Sequence, residues 1–257
     1  MPRDLEPVNP HAPALAGPVM MNQDWRDLTF LHWAVEPERV RRLMPPGVRP
    51  DVHDGRTYVG LVPFRMVGAG AGAGRGSGVP WAGTFLETNV RLYSVDATGR
   101  RGVVFLSLDT DRSIVVAGAR AVFGLPYRWS RMRHRVPQEG LHEYESRLRR
   151  PGSRPRSHVV VRVGEPRQAT PLDTFLTARW GLHVAWVGRT RYVPNAHGPW
   201  PLQDAEVVAL DDELLGSVGL GELRGRPPDQ VAFSAGVHTE FGLPGAATRP
   251  RRVHAGG

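Results

Sequence analysis

Between positions 84 and 95 the side chains alternate in kind. Phe85, Glu87, Asn89, Arg91 and Tyr93 fall on one side of an extended chain, and Leu86, Thr88, Val90 and Leu92 on the other. The aliphatic side predicts cover by a core. The polar side predicts contact with water or with a polar cavity, and this strand alone does not separate the two. A run rich in β-branched and aromatic residues predicts a strand at 28–35, and further strands are expected at 56–67, 102–108, 129–136, 141–148, 157–163, 182–187, 205–210 and 230–234. Asp54-Gly55 signals a turn before the strand at 56–67, and Pro137-Gln138-Glu139-Gly140 joins a hairpin.

Helical spacing is rarer. Residues 37–43 place Val40 and Leu43 on one side, with Pro37 at the start and Pro45-Pro46-Gly47 as the stop. Asp111 caps a second run that Gly124 and Pro126 close, delivering Tyr127 and Arg128 at its exit. Thr170-Pro171-Leu172-Asp173 starts a third, with a capping threonine and a first-turn proline, and Gly181 ends it. Many strands and a few short helices indicate an α+β domain on a curved antiparallel sheet. Closing that sheet would leave a polar lumen suited to a small ligand. The expected organisation is a flexible leader over 1–23, one domain over 24–244 and a flexible tail over 245–257.

Composition narrows the chemistry. The 257 residues include no cysteine, which excludes disulfides, thiolate nucleophiles and cysteine-bound zinc. All 33 basic residues are arginine. Without lysine there is no side-chain amine for a Schiff base and no P-loop lysine. No run approaches the ~18 apolar residues of a membrane span. The proline-containing leader, with Arg3, Asp4 and Glu6, does not read as a secretion signal, so a cytoplasmic protein is expected. The net charge is +8, and most of it lies in residues 128–156, which hold nine arginines against Glu139, Glu143 and Glu145. A single basic strip without a docking motif reads as a solvated hairpin, so no nucleic-acid partner is expected. Assembly of several copies is left open.

Residues 68–78, GAGAGAGRGSG, lack the G-x-G-x-x-G spacing of a dinucleotide loop and read as a flexible loop; whether it acts as a lid is open. The ten histidines are at least eight residues apart, so no local metal motif exists, and neither metal nor cofactor is expected. His197, beside Trp200, reads as a general acid or base or as a loop-packing residue. No G-x-S-x-G elbow surrounds any serine.

Several segments together carry a resemblance: Trp25-Arg26-Asp27, Leu43-Met44-Pro45-Pro46-Gly47 with Asp51, Phe85-Leu86-Glu87-Thr88-Asn89-Val90-Arg91, and Arg120 with Pro126-Tyr127. Phe175-Leu176-Thr177 and the His197 to Leu202 stretch add to it. Over about residues 24 to 240 the chain resembles the YqjF-like family, domain of unknown function 2071, within the acetoacetate decarboxylase-like superfamily. That resemblance implies a cone- or barrel-like fold around a buried polar pocket. In acetoacetate decarboxylases a pocket lysine forms a Schiff base with a β-keto acid, a second lysine lowers its pKa, and an arginine and two glutamates complete the site. By correspondence the arginine falls on Arg26, one glutamate on Glu87, the other on Val62, the Schiff-base lysine on Tyr127 and its neighbour on Arg128.

The resemblance therefore implies a retained pocket without the covalent catalyst. The expected ligand is a small metabolite bearing a carboxylate or a carbonyl. Arg26 would pair with the carboxylate, Glu87 would act as acid or base, and Tyr127 would donate to a developing oxyanion. Arg120, Arg128, Asn89, Arg91 and His197 are the expected substrate-binding residues. This set suits lyase- or isomerase-type chemistry without an enamine; the alternative is a pocket that binds or senses a ligand without turnover.

Overall fold

The computed structural model describes residues 5–74, 78, 83–113 and 124–246. The chain runs β1 (Val19–Val35), α1 (Pro37–Arg41), β2 (Val48–Pro50), β3 (Thr57–Ala71), β4 (Phe85–Asp96), β5 (Arg101–Thr110), β6 (Tyr127–Gln138), β7 (Leu141–Leu148) and β8 (Arg156–Pro166). It continues α2 (Pro171–Thr177), β9 (Gly181–Trp186), β10 (Arg189–His197), β11 (Leu202–Asp212), α3 (Leu214–Ser217), a 3-10 turn (Gly221–Leu223), β12 (Gln230–Gly242) and β13 (Gly245–Ala246).

The strands form one sheet, and the pairings β4–β5 and β10–β12 close it on itself twice. One circuit passes through nine strands, β5-β6-β7-β8-β11-β12-β1-β3-β4, and returns to β5. The other passes through seven, β5-β9-β10-β12-β1-β3-β4, and also returns to β5. Strands β12, β1, β3, β4 and β5 belong to both, so over the middle of β4 one face looks into each circuit. This is why β4 carries bulk on both sides. Its Val90 and Leu92 join Leu31, Trp33, Val59, Leu61, Tyr144 and Val159 in an aliphatic core that fills the nine-strand circuit, with Leu214 and Leu215 of α3 packed into it. Its polar side faces the seven-strand circuit.

The fold is the expected barrel with few helices, but it is not wholly antiparallel. β5 pairs in parallel with both β6 and β9. A parallel pair needs a crossover of a dozen or more residues, and 111–126 supply it between β5 and β6. Residues 114–123 of the expected helix lie outside the described residues, as does Arg120.

Other boundaries differ for local reasons. β1 begins at Val19, inside the expected leader. Upstream, Glu6 accepts a hydrogen bond from the Arg101 backbone N–H at 3.0 Å, and the Asn9 carbonyl accepts from Trp180 Nε1 at 3.0 Å. β3 runs to Ala71 and so takes in the first glycines of the expected 68–78 loop, whereas 75–77 lie outside the described residues. β10 is additional to the expected strands, and its Pro194 lies where pairing passes from β9 to β12. The basic strip is the β6–β7–β8 sheet face, where Arg133 and Arg135 stand opposite Glu145 and Glu143, so cross-strand charges compensate. Among the described residues no helix is long and apolar enough to cross a membrane.

Candidate active site

The seven-strand circuit encloses a cavity of about 110 Å³. Its walls are mostly apolar, with Trp25, Phe64, Phe105 and Phe241 among them, and polar groups enter from few places. Glu87, Asn89 and Arg91 come from alternate positions of β4, Gln23 from β1, and Tyr127 from the first residue of β6. Pairing of Tyr127 with Leu108 of β5 puts the phenol beside the strand that neighbours β4. Thus an extended strand with period two, and the crossover that restarts the chain at 127, together furnish the polar groups.

At one end, the Tyr127 hydroxyl donates to Glu87 Oε2 at 2.8 Å. Asn89 Nδ2 reaches Glu87 Oε1 at 3.5 Å, a long contact. Glu87 is 3% exposed. Burial pushes its carboxyl up to about 7, against the pull of the Tyr127 and Asn89 hydrogen bonds, and nearby Asp109 adds to the rise. Burial and the Glu87 charge raise the Tyr127 phenol well above its ordinary value, so it remains a hydrogen-bond donor. Asn89 Oδ1 is buried with no hydrogen-bond partner. The result is a proton carrier poised near neutrality beside a neutral donor in an apolar chamber.

At the other end, Arg91 is the one cation among the described residues lining the cavity. Its Nε donates to the Tyr93 hydroxyl at 3.1 Å and its Nη2 to the Leu176 carbonyl at 3.3 Å. Behind it runs a buried chain of hydrogen bonds. Gln230 gives its Nε2 to Asp173 Oδ1 at 2.8 Å, which leaves its Oε1 to accept from His32 Nδ1 at 2.5 Å. His32 Nε2 is then an acceptor, and the Tyr93 hydroxyl donates to it at 2.6 Å. Burial, aided by the Arg91 charge, pushes His32 down to about 3, so it stays neutral as this proton order requires. Asp173 would be raised by burial, but hydrogen bonds from Arg167, Thr170 and Gln230 outweigh that and hold it well below the carboxylate range. The chain thus connects the cavity's cation to an ionised carboxylate at the start of α2, where Thr170 and Asp173 form a capping box.

Comparison with known proteins places this architecture. The DUF2071 family model, described as an uncharacterized conserved protein, matches residues 22–238. The protein YqjF of Bacillus subtilis (strain 168) is 32% identical over 190 residues, covering 73% of this chain and 76% of YqjF. The chain belongs to the DUF2071 family.

Among solved structures, the enduracididine biosynthesis enzyme MppR complexed with pyruvate is similar at a TM-score of 0.59, with 16% identity over 91% of this chain and 93% of MppR. An acetoacetate decarboxylase-like enzyme from Sphingomonas wittichii RW1 has a TM-score of 0.58, with 12% identity over 86% of this chain and 90% of that enzyme. Acetoacetate decarboxylase from Legionella pneumophila gives 0.56, with 12% identity over 89% and 88% of the two chains. At these identities the likeness is one of fold: this DUF2071 protein has the acetoacetate decarboxylase-like fold.

The DUF2071 chain brings together Glu87, Asn89, Arg91 and Tyr127 of the expected site, and it separates the others. Arg26 does not reach the cavity; its side chain is 41% exposed and lies 3.4 Å from Asp24. The cause is parity. Asp27, at φ 53°, and a register shift between Arg26 and Leu31 mark a bulge in β1. Before the bulge Gln23 and Trp25 face inward; after it Leu28, Phe30 and His32 do. Arg26, next to Trp25, therefore points away. The partner strand reinforces this bend at Gly236, whose φ is +128° and where a Cβ would lie 1.9 Å from the Trp25 carbonyl oxygen. Arg128 also faces away, because Tyr127 beside it faces in; its Nε meets Asp109 at 2.5 Å and its Nη1 meets Ser217 at 2.8 Å.

His197 ends β10 rather than sitting in a loop, and it backs the wall. Its ring centre lies 4.6 Å from that of Trp180 and 4.9 Å from that of Trp200, and its Nδ1 donates to the Gly198 carbonyl at 2.7 Å. Burial pushes it down to about 4, and it does not line the cavity. Val62 does face the cavity, opposite Asn89 on β3. Sequence reasoning missed Gln23, His32, Tyr93, Gln230 and Asp173. Tyr93 alone carried a signal, as the next inward position after Arg91; the rest meet only when the circuit closes. On the outer sheet face, Glu143, Glu145 and His158 place ligand atoms within 4.8 Å of one another, although His158 Nε2 is already 3.0 Å from Glu143 Oε1.

Proposed function

We propose that this protein binds a small carboxylate-bearing carbonyl compound in the seven-strand lumen and transforms it by acid–base chemistry without a Schiff base. The ligand's carboxylate pairs with Arg91, a guanidinium that the Tyr93 and Leu176 contacts hold in place. The ionised Glu87 removes a proton from the carbon beside the carbonyl. The electron pair of that C–H bond becomes the enolate, whose oxygen takes a hydrogen bond from Tyr127 as the phenol turns from Glu87. Glu87, now protonated, returns the proton to the same or another carbon, or to a departing hydroxyl. This covers isomerisation and dehydration. The carrying observation is the 2.8 Å bond between Tyr127 and a buried Glu87 whose pKa is about 7.

A second reading is a pocket that binds or senses its ligand without turnover. The absence of any lysine favours it, since the family resemblance puts Tyr127 at the position of the decarboxylases' nucleophilic lysine. One experiment separates the two readings. A library of oxo acids is screened by thermal shift, and mixtures with each hit are then analysed by mass spectrometry and by proton exchange in D₂O. Deuterium uptake beside the carbonyl, or a new product, supports the enzyme; stabilisation with neither supports the binder. Borohydride treatment with an oxo acid is expected to leave no covalent adduct, and an adduct at any side chain contradicts both readings.

A further inference from the structure

The polar groups of the lumen are far apart along one strand. Glu87 and Arg91 are four residues apart on β4, and β4 pairs with β3 in unbroken register across that span. Four residues of strand cover about 13 Å. The side chains do not close the gap. Glu87 is held at the Tyr127 end by the 2.8 Å phenol bond. Arg91 leans the other way, with Nε on Tyr93 at the next inward position and Cζ 5.5 Å from the ring centres of Phe30 and Tyr93. Between these ends β3 presents the apolar Val62 beside Asn89, while Phe64 stands beside Glu87 and Trp25, paired with Met66, lies past that end. Asn89 stands midway, its Oδ1 buried without a hydrogen-bond partner.

A three- or four-carbon oxo acid, whose carboxylate and carbonyl are adjacent or one carbon apart, reaches one end or the other. Resting on the carboxylate-and-carbonyl reading above, we infer that the ligand is an elongated amphipathic acid. Its carboxylate sits at Arg91, a flat apolar body passes Val62 at the level of Asn89, and its carbonyl reaches Tyr127 and Glu87 at the far end, beside Phe64. The anchored carboxylate is then a handle and not the group that reacts, so the chemistry is enolisation at the remote carbonyl and not loss of the bound carboxylate as CO₂.

Titration calorimetry with four probes tests this: 4-acetylbenzoate, benzoate, acetophenone and 2-oxobutyrate, each against the wild type, Arg91→Met and Tyr127→Phe. Circular dichroism checks folding, and Arg91→Gln replaces Arg91→Met if the latter unfolds. The expected result is that 4-acetylbenzoate loses about tenfold or more in affinity in both variants. Benzoate loses only in the Arg91 variant, acetophenone only in Tyr127→Phe, and 2-oxobutyrate in no more than one. If 2-oxobutyrate weakens in both variants, a short acid spans the site; elongation is then wrong while the carboxylate-and-carbonyl reading survives. If none of the three carboxylates responds to the Arg91 variants, that underlying reading fails as well. Absence of 4-acetylbenzoate binding to folded wild type at millimolar concentration overturns the elongated ligand.

Discussion

The inward face of β4 holds two polar regions that are built to opposite rules. At the Arg91–Tyr93 end, the connected groups are matched as donors and acceptors back to an ionised Asp173, and the order of protons is determined by a neutral His32. At the Glu87–Asn89 end the count does not close: Asn89 Oδ1 has no partner, the amide contact to Glu87 is long, and the Glu87 pKa sits near neutrality. Glu87 and Asn89 at one end and His32 and Tyr93 at the other are all buried, so burial alone does not tell the ends apart. A satisfied network resists change and positions its outermost member, whereas an unsatisfied one leaves bonding capacity for something else. The difference separates a rigid anchor from a chemically available pair on a single strand.

The largest expected effect lies at the open end. On a substrate that is turned over, Glu87→Gln should lower kcat by about 10²–10⁴-fold, and Tyr127→Phe by about 10²–10³-fold, as steady-state rates would read. Unchanged turnover in Tyr127→Phe removes the phenol from the mechanism. At the closed end His32→Leu should instead cost stability, about 4 kcal/mol at neutral pH in denaturant unfolding, because the Tyr93 hydroxyl and the Gln230 oxygen lose their partner.

The two ends should also answer pH with opposite signs. Glu87 binds its proton more tightly in the folded chain, at about 7 against 4.5, so its contribution to stability falls as pH rises through that window, by roughly 3 kcal/mol in all. Glu87→Gln should therefore gain on the wild type from pH 4.5 to 7 and run parallel above it. His32 binds its proton less tightly when folded, at about 3 against 6.5, so its contribution is present above 6.5 and lost as pH falls toward 3. His32→Leu should flatten that acid slope in a series of unfolding curves. A single common slope for both variants would erase the distinction between the ends. The smallest effect belongs to Arg26→Ala, which should change stability by less than about 0.5 kcal/mol and leave ligand affinity unaltered, since an exposed ion pair contributes little.

Much of this was legible in the chain before folding. The alternation from Phe85 to Tyr93 identified the strand and its polar face, and the proline-glycine exit at 124–126 located Tyr127. The Thr170–Asp173 cap was read from residue types alone, and the structure has it with both hydrogen bonds. The family resemblance and the barrel were visible in combined motifs. What failed was parity. Arg26 was placed by the family correspondence, but one extra residue in β1 sets its parity against that of Leu28, Phe30 and His32, and Asp27 carries no sequence mark that announces it. His32 and Gln230, 198 residues apart, were invisible for a different reason: each is an ordinary polar residue until β12 pairs with β1.

Sequence by itself therefore determined which chemistries are absent, through a chain without cysteine or lysine, and which strand carries the polar side chains. Tertiary structure alone decided that this polar face looks into a lumen rather than into water. It did so because β4 is shared by two closed circuits, one filled with aliphatic side chains and the other left with space. Local patterning records what a side chain is and how it alternates. Burial, and with it the shifted Glu87, arises from sheet closure, which depends on pairings between residues far apart in the chain.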